Sequence, residues 1–234
     1  AVLNVGEARF VCCGETRFEN ININATGAWW YLIASHHPLT MGEGIQITGK
    51  KLTGGKFSTS IAILGGYQAG VNNPPLVDDK DVNITILSGR MYYIIPFNRG
   101  MAGTYSGNAN IYIGGNAEVA TLHGSAATDG SEVGNVYVTL TDDASIHAFY
   151  GGTQDMTENS FTLYWCSGSI GAWDWDCPAT SDKHITYTEG TALYALSAAR
   201  SAANYSEIAA KFDKALPYTQ WCTEHGGHAY TNGV

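Results

Sequence analysis

Charged side chains and long apolar runs are both scarce in this chain. Only 14% of its 234 residues are charged, and 21 acidic side chains outnumber 12 Lys and Arg, for a formal net charge of −9. Long amphipathic helices need more polar outer faces than this, so the composition favours a β protein. Because the negative field repels polyanions, we expect no nucleic-acid partner.

No stretch of the sequence approaches the roughly 20 apolar residues that span a bilayer. We therefore expect no membrane insertion of this segment. The first ten residues, AVLNVGEARF, also lack the basic and then apolar pattern of a secretory signal. Our interpretation is that the chain is a fragment of a longer protein.

The chain has only five cysteines, which is an odd number. At least one must lack a partner within the chain. Cys166 and Cys177 are close enough in sequence to be disulfide candidates, which favours an oxidising compartment. Cys222, His225 and His228 have metal-like spacing, but three ligands without a clear fourth are better explained by a structural tail.

Short apolar alternations recur at a spacing of about 26 residues. The first series begins at residues 19, 45, 82, 109, 136 and 161, with the sequences ENINI, IQIT, VNITI, ANIYI, VYVTL and FTLYW. A second series follows, and it includes IAILGG, MYYIIP and IHAFYGG. Gly, Asn and Asp lie between the two series, where the chain must turn. The pattern indicates two strands per repeat.

Strands that recur once per repeat pair in parallel with the equivalent strands of neighbouring repeats, about 4.8 Å away. The sequence therefore predicts an all-β fold, a right-handed parallel β-helix of six to seven coils. One inner column is predicted to contain Ile21, Ile47, Ile84, Ile111, Val138 and Leu163. The alternative is an antiparallel sandwich or barrel, which has no reason to keep this long period.

Four regions are predicted along the chain. Residues 1–17 form an N-terminal cap, 18–186 the β-helix, 187–216 a capping helix, and 217–234 a Cys/His-containing tail or linker. The Ala-rich stretch 191–216 has apolar residues near helical spacing and ends before Pro217. We expect this helix to cover either the last coil or one side face.

The coils share a recognisable style, seen in VNITILSG, ANIYIGGN and AFYGGT. Over about residues 19–176 they resemble the pectin-lyase-like β-helical regions of large surface proteins in gut Gram-positive bacteria. The tail WCTEHGGHAYTNG resembles linkers between modules of such proteins. The resemblance implies an extracellular adhesin or stalk, with a host or bacterial glycan, or a host surface or secreted protein, as its partner.

A second column is apolar where simple alternation predicts outward polar residues: Leu32, Leu64, Ile94, Leu122, Phe149 and Trp173. Three interpretations remain open: a shifted register that turns the column inward, a face covered by the helix, or an exposed ladder for a ligand. In the third, flat aromatic rings suit sugars. The candidate binding residues are then Trp30, Tyr92, Tyr93, Phe149, Trp173 and Trp175.

Carboxylates cluster at Asp78, Asp79 and Asp81, at Asp142 and Asp143, and at Asp174 and Asp176. Paired carboxylates across coils suit glycoside hydrolysis, and oxygen-rich loops suit Ca²⁺. Because these residues occupy turn positions, we interpret them as solvated turns and expect no catalytic residues and no cofactor, with Ca²⁺ as the weak option. A polysaccharide lyase or glycoside hydrolase of this fold is the alternative function.

An ice-binding β-helix is a third functional hypothesis. It needs a regular column of threonines. Thr48, Thr85 and Thr139 are interrupted by Tyr112 in the repeat alignment, which disfavours this function.

Overall fold

A computed structural model describes residues 1–6, 8–25, 30–49, 61–72, 75–126, 130–152, 155–176 and 184–219. The strand pairs of these residues are all parallel, and they form a β-solenoid. This confirms the predicted parallel β-helix and excludes the antiparallel alternative. The strands that were expected to pair across one repeat do so residue by residue, for example Ile84 with Ile111.

The described residues form short strands and two short helices. In chain order they are β1 Val2–Val5, β2 Arg9–Val11, β3 Thr16–Phe18, β4 Asn22–Ala25, β5 Trp30–Ile33, β6 Leu39–Met41, β7 Gln46–Gly49, β8 Ile61–Leu64, β9 Val77–Asp78, β10 Val82–Ile86, β11 Arg90–Ile95, β12 Thr104–Tyr105, β13 Ala109–Ile113, β14 Glu118–His123, β15 Glu132–Leu140, β16 Ser145–Gly152, β17 Met156–Trp165, β18 Ser169–Asp176, β19 Ile185–Tyr187, β20 Thr191–Ala195, α1 Ser197–Arg200, α2 Tyr205–Ala209 and β21 Lys214–Pro217.

Three sheets run along the solenoid. Sheet A has the order β1-β4-β7, and sheet B has the order β18-β16-β14-β11-β8-β5-β2. Sheet C follows the path β21-β20-β17-β15-β13-β10-β6-β3, and β9, β12 and β19 extend it on one side. The tight turns from sheet C to sheet B have positive φ, between 56° and 93°, at Gly89, Gly115, Asp142 and Gly168.

The solenoid has about five turns, fewer than the six to seven predicted. The first strands have only three or four residues each, and the chain after β18 adds strands to sheet C but none to sheet B.

The N-terminal residues are part of the stack rather than a separate cap. Strand β1 pairs in register with β4, β2 with β5, and β3 with β6. The prediction of a cap over 1–17 is therefore replaced by a first, short-stranded layer of the solenoid.

The predicted inner column is present in the regular turns. The residues that lie in register in sheet C, each at most 2% exposed, are Leu39, Ile84, Ile111, Val138, Leu163 and Leu193. Ile47 belongs instead to sheet A, where it pairs with Ile23, and Ile21 lies just outside a strand. The alignment is out of phase there because the first layers divide their strands differently.

The ambiguous apolar column is also interior. Leu32, Ile94, Leu122, Phe149 and Trp173 all belong to the main buried cluster, so the shifted-register interpretation is right. One member was misassigned: Ile63 pairs with Leu32 and Ile94, whereas Leu64 packs with Ile33 and Ile95 in a small cluster on the outer side of sheet B.

The single capping helix predicted over 187–216 is wrong. That stretch contains the last residue of β19, then β20, α1, α2 and β21. In TALYA, Leu193 and Ala195 continue the buried columns and Tyr194 points outward, so pairing of β20 with β17 outweighs the helix preference of alanine. The two helices have only four and five residues.

The segment that holds α1 and α2 packs against the last coil. Ile208 and Phe212 join the main buried cluster, and the Phe212 ring lies 5.2 Å from that of Trp173. The Asn204 side chain donates hydrogen bonds to the carbonyl oxygens of Ile170 (2.7 Å) and Gly171 (3.1 Å). These bonds satisfy backbone acceptors on β18, the edge strand of sheet B.

Candidate functional site

Three of the predicted ligand-binding aromatics are buried in the interior. Trp30 and Phe149 are 0% exposed and Trp173 is 3% exposed. The rings of Phe149 and Trp173 stack at 3.8 Å between centroids. These side chains fill the core and present no face to a ligand, so the exposed-ladder interpretation does not hold for them.

Trp175 is half-buried at the C-terminal end of the core. Its indole N–H donates to the Lys211 carbonyl oxygen at 2.5 Å, and its ring lies 5.1 Å from that of Phe212. The residue therefore helps to anchor the closing segment.

Tyr92 and Tyr93 are the predicted residues that lie on the surface. Both are partly exposed on the outer side of sheet B. Their ring centroids are 4.2 Å apart in an edge-on arrangement, and Tyr93 lies 5.2 Å from the His123 ring. The structure thus places Tyr92 and Tyr93 together on the surface and adds neighbours that the sequence did not indicate.

In sheet B the strand register aligns Tyr93 with one residue of each of three earlier strands, and this column lies on the outer side of the sheet. Arg9 pairs with Tyr31, Tyr31 with Ala62, and Ala62 with Tyr93. The loop after β11 brings Arg99 onto the same side, since its guanidinium donates to the Tyr31 hydroxyl. We call this surface the arginine–tyrosine platform; it comprises Arg9, Tyr31, Tyr92, Tyr93, Arg99 and His123.

Two guanidinium groups lie over the ring of a single tyrosine in the platform. The Cζ atom of Arg99 is 5.2 Å from the centroid of the Tyr31 ring, and that of Arg9 is 6.0 Å away. Both distances are within the range of cation–π attraction. Arg9 is exposed, and Tyr31 and Arg99 are partly exposed, so the group remains reachable from solvent.

The platform is a positive region in an acidic protein. The ion pairs of the described residues involve Arg17, Arg90, His147 and Lys211, but neither Arg9 nor Arg99. Within the described ranges the two platform arginines therefore have no carboxylate at ion-pair distance. Their hydrogen-bonding edges are available to an anion.

His123 forms the inner border of the platform. Burial, with a smaller contribution from the positive charge of Arg99, lowers the pKa of its imidazole to about 4. The side chain is thus neutral at physiological pH. Its Nδ1 atom is buried and makes no hydrogen bond to the residues that the structure describes.

The sequence did not reveal the platform because its two arginines are 90 positions apart and belong to different kinds of segment. Arg99 follows a strand and Arg9 lies in the first layer, which was assigned to a cap. Extending the repeat register into the first 17 residues would have aligned Arg9 with Tyr31. Nothing in the periodicity indicates that the loop after β11 folds back over sheet B.

The carboxylates of the three clusters make local contacts, but Asp78 lies in strand β9 and is buried, so it is not the solvated turn residue that we expected. The Asp142 carboxylate accepts a hydrogen bond from the Gly115 N–H at 2.8 Å, and the Asp78 carboxylate accepts one from the Lys80 N–H at 3.0 Å. Asp174 lies 4.0 Å from the ammonium group of Lys211. Of the described side chains, Asp78 lies in β9, Asp142 in the turn after β15, and Asp174 in β18, so these three belong to different parts of the solenoid.

The threonines of the ice-binding hypothesis do not form one uninterrupted column. Thr85, Tyr112 and Thr139 follow one another in register on the outer side of sheet C, and Tyr164 comes next. Thr48 lies in sheet A instead.

The cysteine and metal hypotheses fall largely outside the described residues. The described residues do not include Cys177, Cys222, His225 or His228. Cys166 is 2% exposed and packs with Tyr164, Tyr194 and Tyr218 outside sheet C. Among the described residues, no group of three His, Cys, Asp or Glu side chains is arranged to hold a metal ion.

No protein-family model, no curated protein and no solved structure matches this chain. The β-helix expected from the resemblance to bacterial surface proteins is present. Within the part of the chain that the structure describes, no helix is long and apolar enough to cross a membrane.

Proposed function

We propose that this chain is an extracellular, adhesin-like β-helix module that binds an acidic glycan through the arginine–tyrosine platform. The observation that carries the proposal is the pair of arginines, free of ion pairs to described carboxylates, over the ring of the partly exposed Tyr31. The extracellular location rests on the style of the repeats.

The platform supplies the two kinds of contact that an acidic sugar needs. The partly exposed ring of Tyr93 offers apolar surface on which a sugar ring can stack, whereas the Tyr31 ring is already covered by the two guanidinium groups. The guanidinium groups of Arg9 and Arg99 can form paired hydrogen bonds with a carboxylate or sulfate group. A neutral sugar would use only the first of these contacts.

The overall charge limits the size of the ligand. A long polyanion would pass from the platform onto the rest of a protein with a net charge of −9, where it would be repelled. We therefore expect a glycan with one or two acidic groups at its end. Because the arginines lie at the surface, its affinity should fall as the salt concentration rises.

Binding is favoured over cleavage at this site. The platform residues are arginines, tyrosines and a buried histidine, without the acid–base pair that glycoside cleavage needs.

The test is a glycan array that contains carboxylated and sulfated glycans beside their neutral counterparts, followed by titration of the best ligand. Arg9→Gln and Arg99→Gln should each weaken binding at least tenfold, because a hydrogen bond to a charged group contributes about 1.5–3 kcal/mol. Tyr93→Ala should weaken it as well.

The matched control is Arg17→Gln, an exposed arginine that pairs with Glu19 on sheet C. Circular dichroism would establish that each variant keeps the fold. Equal binding of the acidic glycan and its neutral counterpart, or unchanged affinity in both platform arginine variants, would show that the proposal is wrong.

A further inference from the structure

The turn that carries Arg99 is joined to the equivalent turn of the preceding coil. The Arg99 N–H donates to the Tyr67 carbonyl oxygen, and the Ala69 N–H donates to the Arg99 carbonyl oxygen, each at 3.0 Å. Next to them, the side chain of Asn98 is 0% exposed and accepts the Tyr67 N–H at 2.5 Å. The position of one platform arginine therefore depends on how firmly these two turns are held together.

A histidine from the turn one coil earlier packs against the same place. His36 follows β5, Gly66 follows β8 and Asn98 follows β11, and these three strands are neighbours in sheet B. A Cβ atom at Gly66 would lie 1.8 Å from Asn98 Oδ1 and 3.1 Å from His36 Nε2. The imidazole and the amide thus meet over a glycine that has no room for a side chain.

The hydrogen bonds of His36 and Asn98 fix the role of each polar atom. Nδ1 of His36 lies 2.9 Å from the Lys80 carbonyl oxygen, so it carries the hydrogen of the neutral ring and leaves Nε2 as an acceptor. Asn98 uses Oδ1 for Tyr67, which leaves Nδ2 as a donor. Both Nε2 and Nδ2 are buried, and neither has a hydrogen-bond partner among the described residues. An unused acceptor and an unused donor therefore belong to the same buried pair.

The charges around the imidazole favour its neutral form. Burial lowers the pKa of His36 from 6.5, the nearby Asp78 carboxylate opposes this effect, and the charges of Lys80 and His37 add to it. Asp78 also accepts hydrogen bonds from the Lys80 N–H at 3.0 Å and from the Tyr67 hydroxyl. The Tyr67 ring lies 5.0 Å from that of His36. His36 therefore takes up a proton only below pH 6.5.

A proton on Nε2 would turn the acceptor of the pair into a second donor. It would be buried beside the amide hydrogens of Asn98, and a buried donor without a partner is costly. The turn is also strained, because Ser35 and His36 have φ values of 54° and 60°, in the left-handed region that residues other than glycine rarely adopt. Separation of the turns relieves both effects, and it withdraws Arg99, the charged residue of the Asn98 turn, from Tyr31.

We propose that the buried pair of His36 and Asn98 positions Arg99, and that uptake of a proton by His36 releases an acidic ligand from the platform. This inference rests on the proposed function, because Arg99 is one of the two platform arginines. It adds regulation to that function, since the platform binds at neutral pH and releases its ligand in acid. The pair acts through the turns and does not contact the ligand.

Amide hydrogen exchange of the whole chain tests the positioning without any ligand. After correction for the intrinsic effect of pH, the Tyr67 and Arg99 amides should exchange at least about fivefold faster at pH 5 than at pH 7.5. The Ile111 amide in β13 should not change. His36→Asn should remove the increase, because asparagine takes up no proton and tolerates a positive φ. The control His37→Asn, at the neighbouring histidine, should keep it.

Asn98→Asp is the second variant, and it should reverse the dependence on pH. The aspartate keeps an oxygen for the Tyr67 N–H and offers its other oxygen as an acceptor to the protonated His36 ring. Exchange at the Tyr67 amide should then be slower at pH 5 than at pH 7.5. A variant that merely loosens the turns would exchange faster at both pH values.

Titration with lactose 3′-sulfate, whose charge is constant over this range, tests the link to the platform. Its affinity should fall at least about fivefold from pH 7.5 to pH 5 in the natural chain and stay constant in His36→Asn. Because the protein becomes less negative in acid, general electrostatics would instead strengthen the binding of an anion.

Equal pH dependence of the natural chain and His36→Asn, in either measurement, would overturn the proposal. Exchange that follows the prediction without any binding of lactose 3′-sulfate at pH 7.5 would contradict the platform as a binding site, while it would confirm that the pair positions Arg99. The two proposals therefore fail separately.

Discussion

The two sides of sheet B use aromatic residues for opposite purposes. On the inner side, Phe149 and Trp173 stack on neighbouring strands and are almost completely buried. On the outer side, Tyr31 and Tyr93 remain partly exposed and contact arginine or histidine. The side of the sheet on which a side chain lies, rather than its aromatic character, decides whether it is buried in the core or partly exposed to solvent.

The largest effect should come from truncating the inner side. Trp173→Ala removes a ring that contacts Phe149 and Phe212, and such core truncations cost about 3–5 kcal/mol. Tyr93→Ala on the outer side should cost less than about 1 kcal/mol, because its ring is already partly in water. Urea unfolding of both variants measures the difference, and equal losses would contradict the assignment of the two sides.

Buried ionisable groups provide a second comparison. Glu158 is 0% exposed on the inner side of sheet C, and burial raises the pKa of its carboxyl well above the usual value, with a small opposing effect from the Ser125 hydroxyl. The unfolded chain loses this proton near pH 4.3, before the folded protein does. Stability should therefore fall as the pH rises from about 4 towards the folded pKa.

Glu158→Gln checks this sign. The variant cannot ionise, so its free energy of unfolding should exceed that of the natural chain by more at pH 8 than at pH 4. Chemical denaturation at the two pH values makes the measurement. If Glu158→Gln raises the free energy of unfolding by the same amount at pH 4 and pH 8, Glu158 is not held in its protonated form.

His123 should show the opposite dependence on pH. Its folded pKa of about 4 lies below the value of 6.5 expected in the unfolded chain. The stability that the neutral imidazole contributes is fully present above pH 6.5, and it is lost as the pH falls towards 4. The difference corresponds to about 3 kcal/mol.

The measurement is the free energy of unfolding between pH 7 and pH 4 in the natural chain and in His123→Gln. The loss of stability between pH 7 and pH 4 should be smaller in His123→Gln than in the natural chain. If the two losses are equal, other groups cause the loss at low pH. NMR titration of the imidazole would give the folded pKa directly.

The repeat made the fold predictable because a parallel solenoid imposes its geometry on the sequence. Side chains that share a column must suit the same surroundings in every turn, which is why Ile84, Ile111 and Val138 could be aligned from the spacing alone. Where the period breaks, at both ends, the predictions failed. The N-terminal strands and β20 lie in those regions. There the prediction relied on local sequence rather than on the repeat, and it wrongly indicated a cap and a helix.

The candidate sites were less predictable because they combine column residues with residues from loops. Tyr92 and Tyr93, which were selected as binding residues, are partly exposed, but Arg99 reaches Tyr31 through a loop whose path the repeat does not specify.

The smallest effect expected is that of one hydroxyl on the outer side of sheet B. Tyr31→Phe removes the oxygen that accepts the hydrogen bond from Arg99 and leaves the ring beneath both guanidinium groups. The stability should fall by about 1 kcal/mol or less, since the bond is partly exposed to water. Affinity for an acidic glycan should fall more, because Arg99 is no longer held in place.

Tyr150→Phe, on the same side of the sheet but without a hydrogen bond to the described residues, is the control for loss of a hydroxyl. If the two variants bind such a glycan equally well, the hydrogen bond to Tyr31 does not orient Arg99, and the platform acts through charge alone.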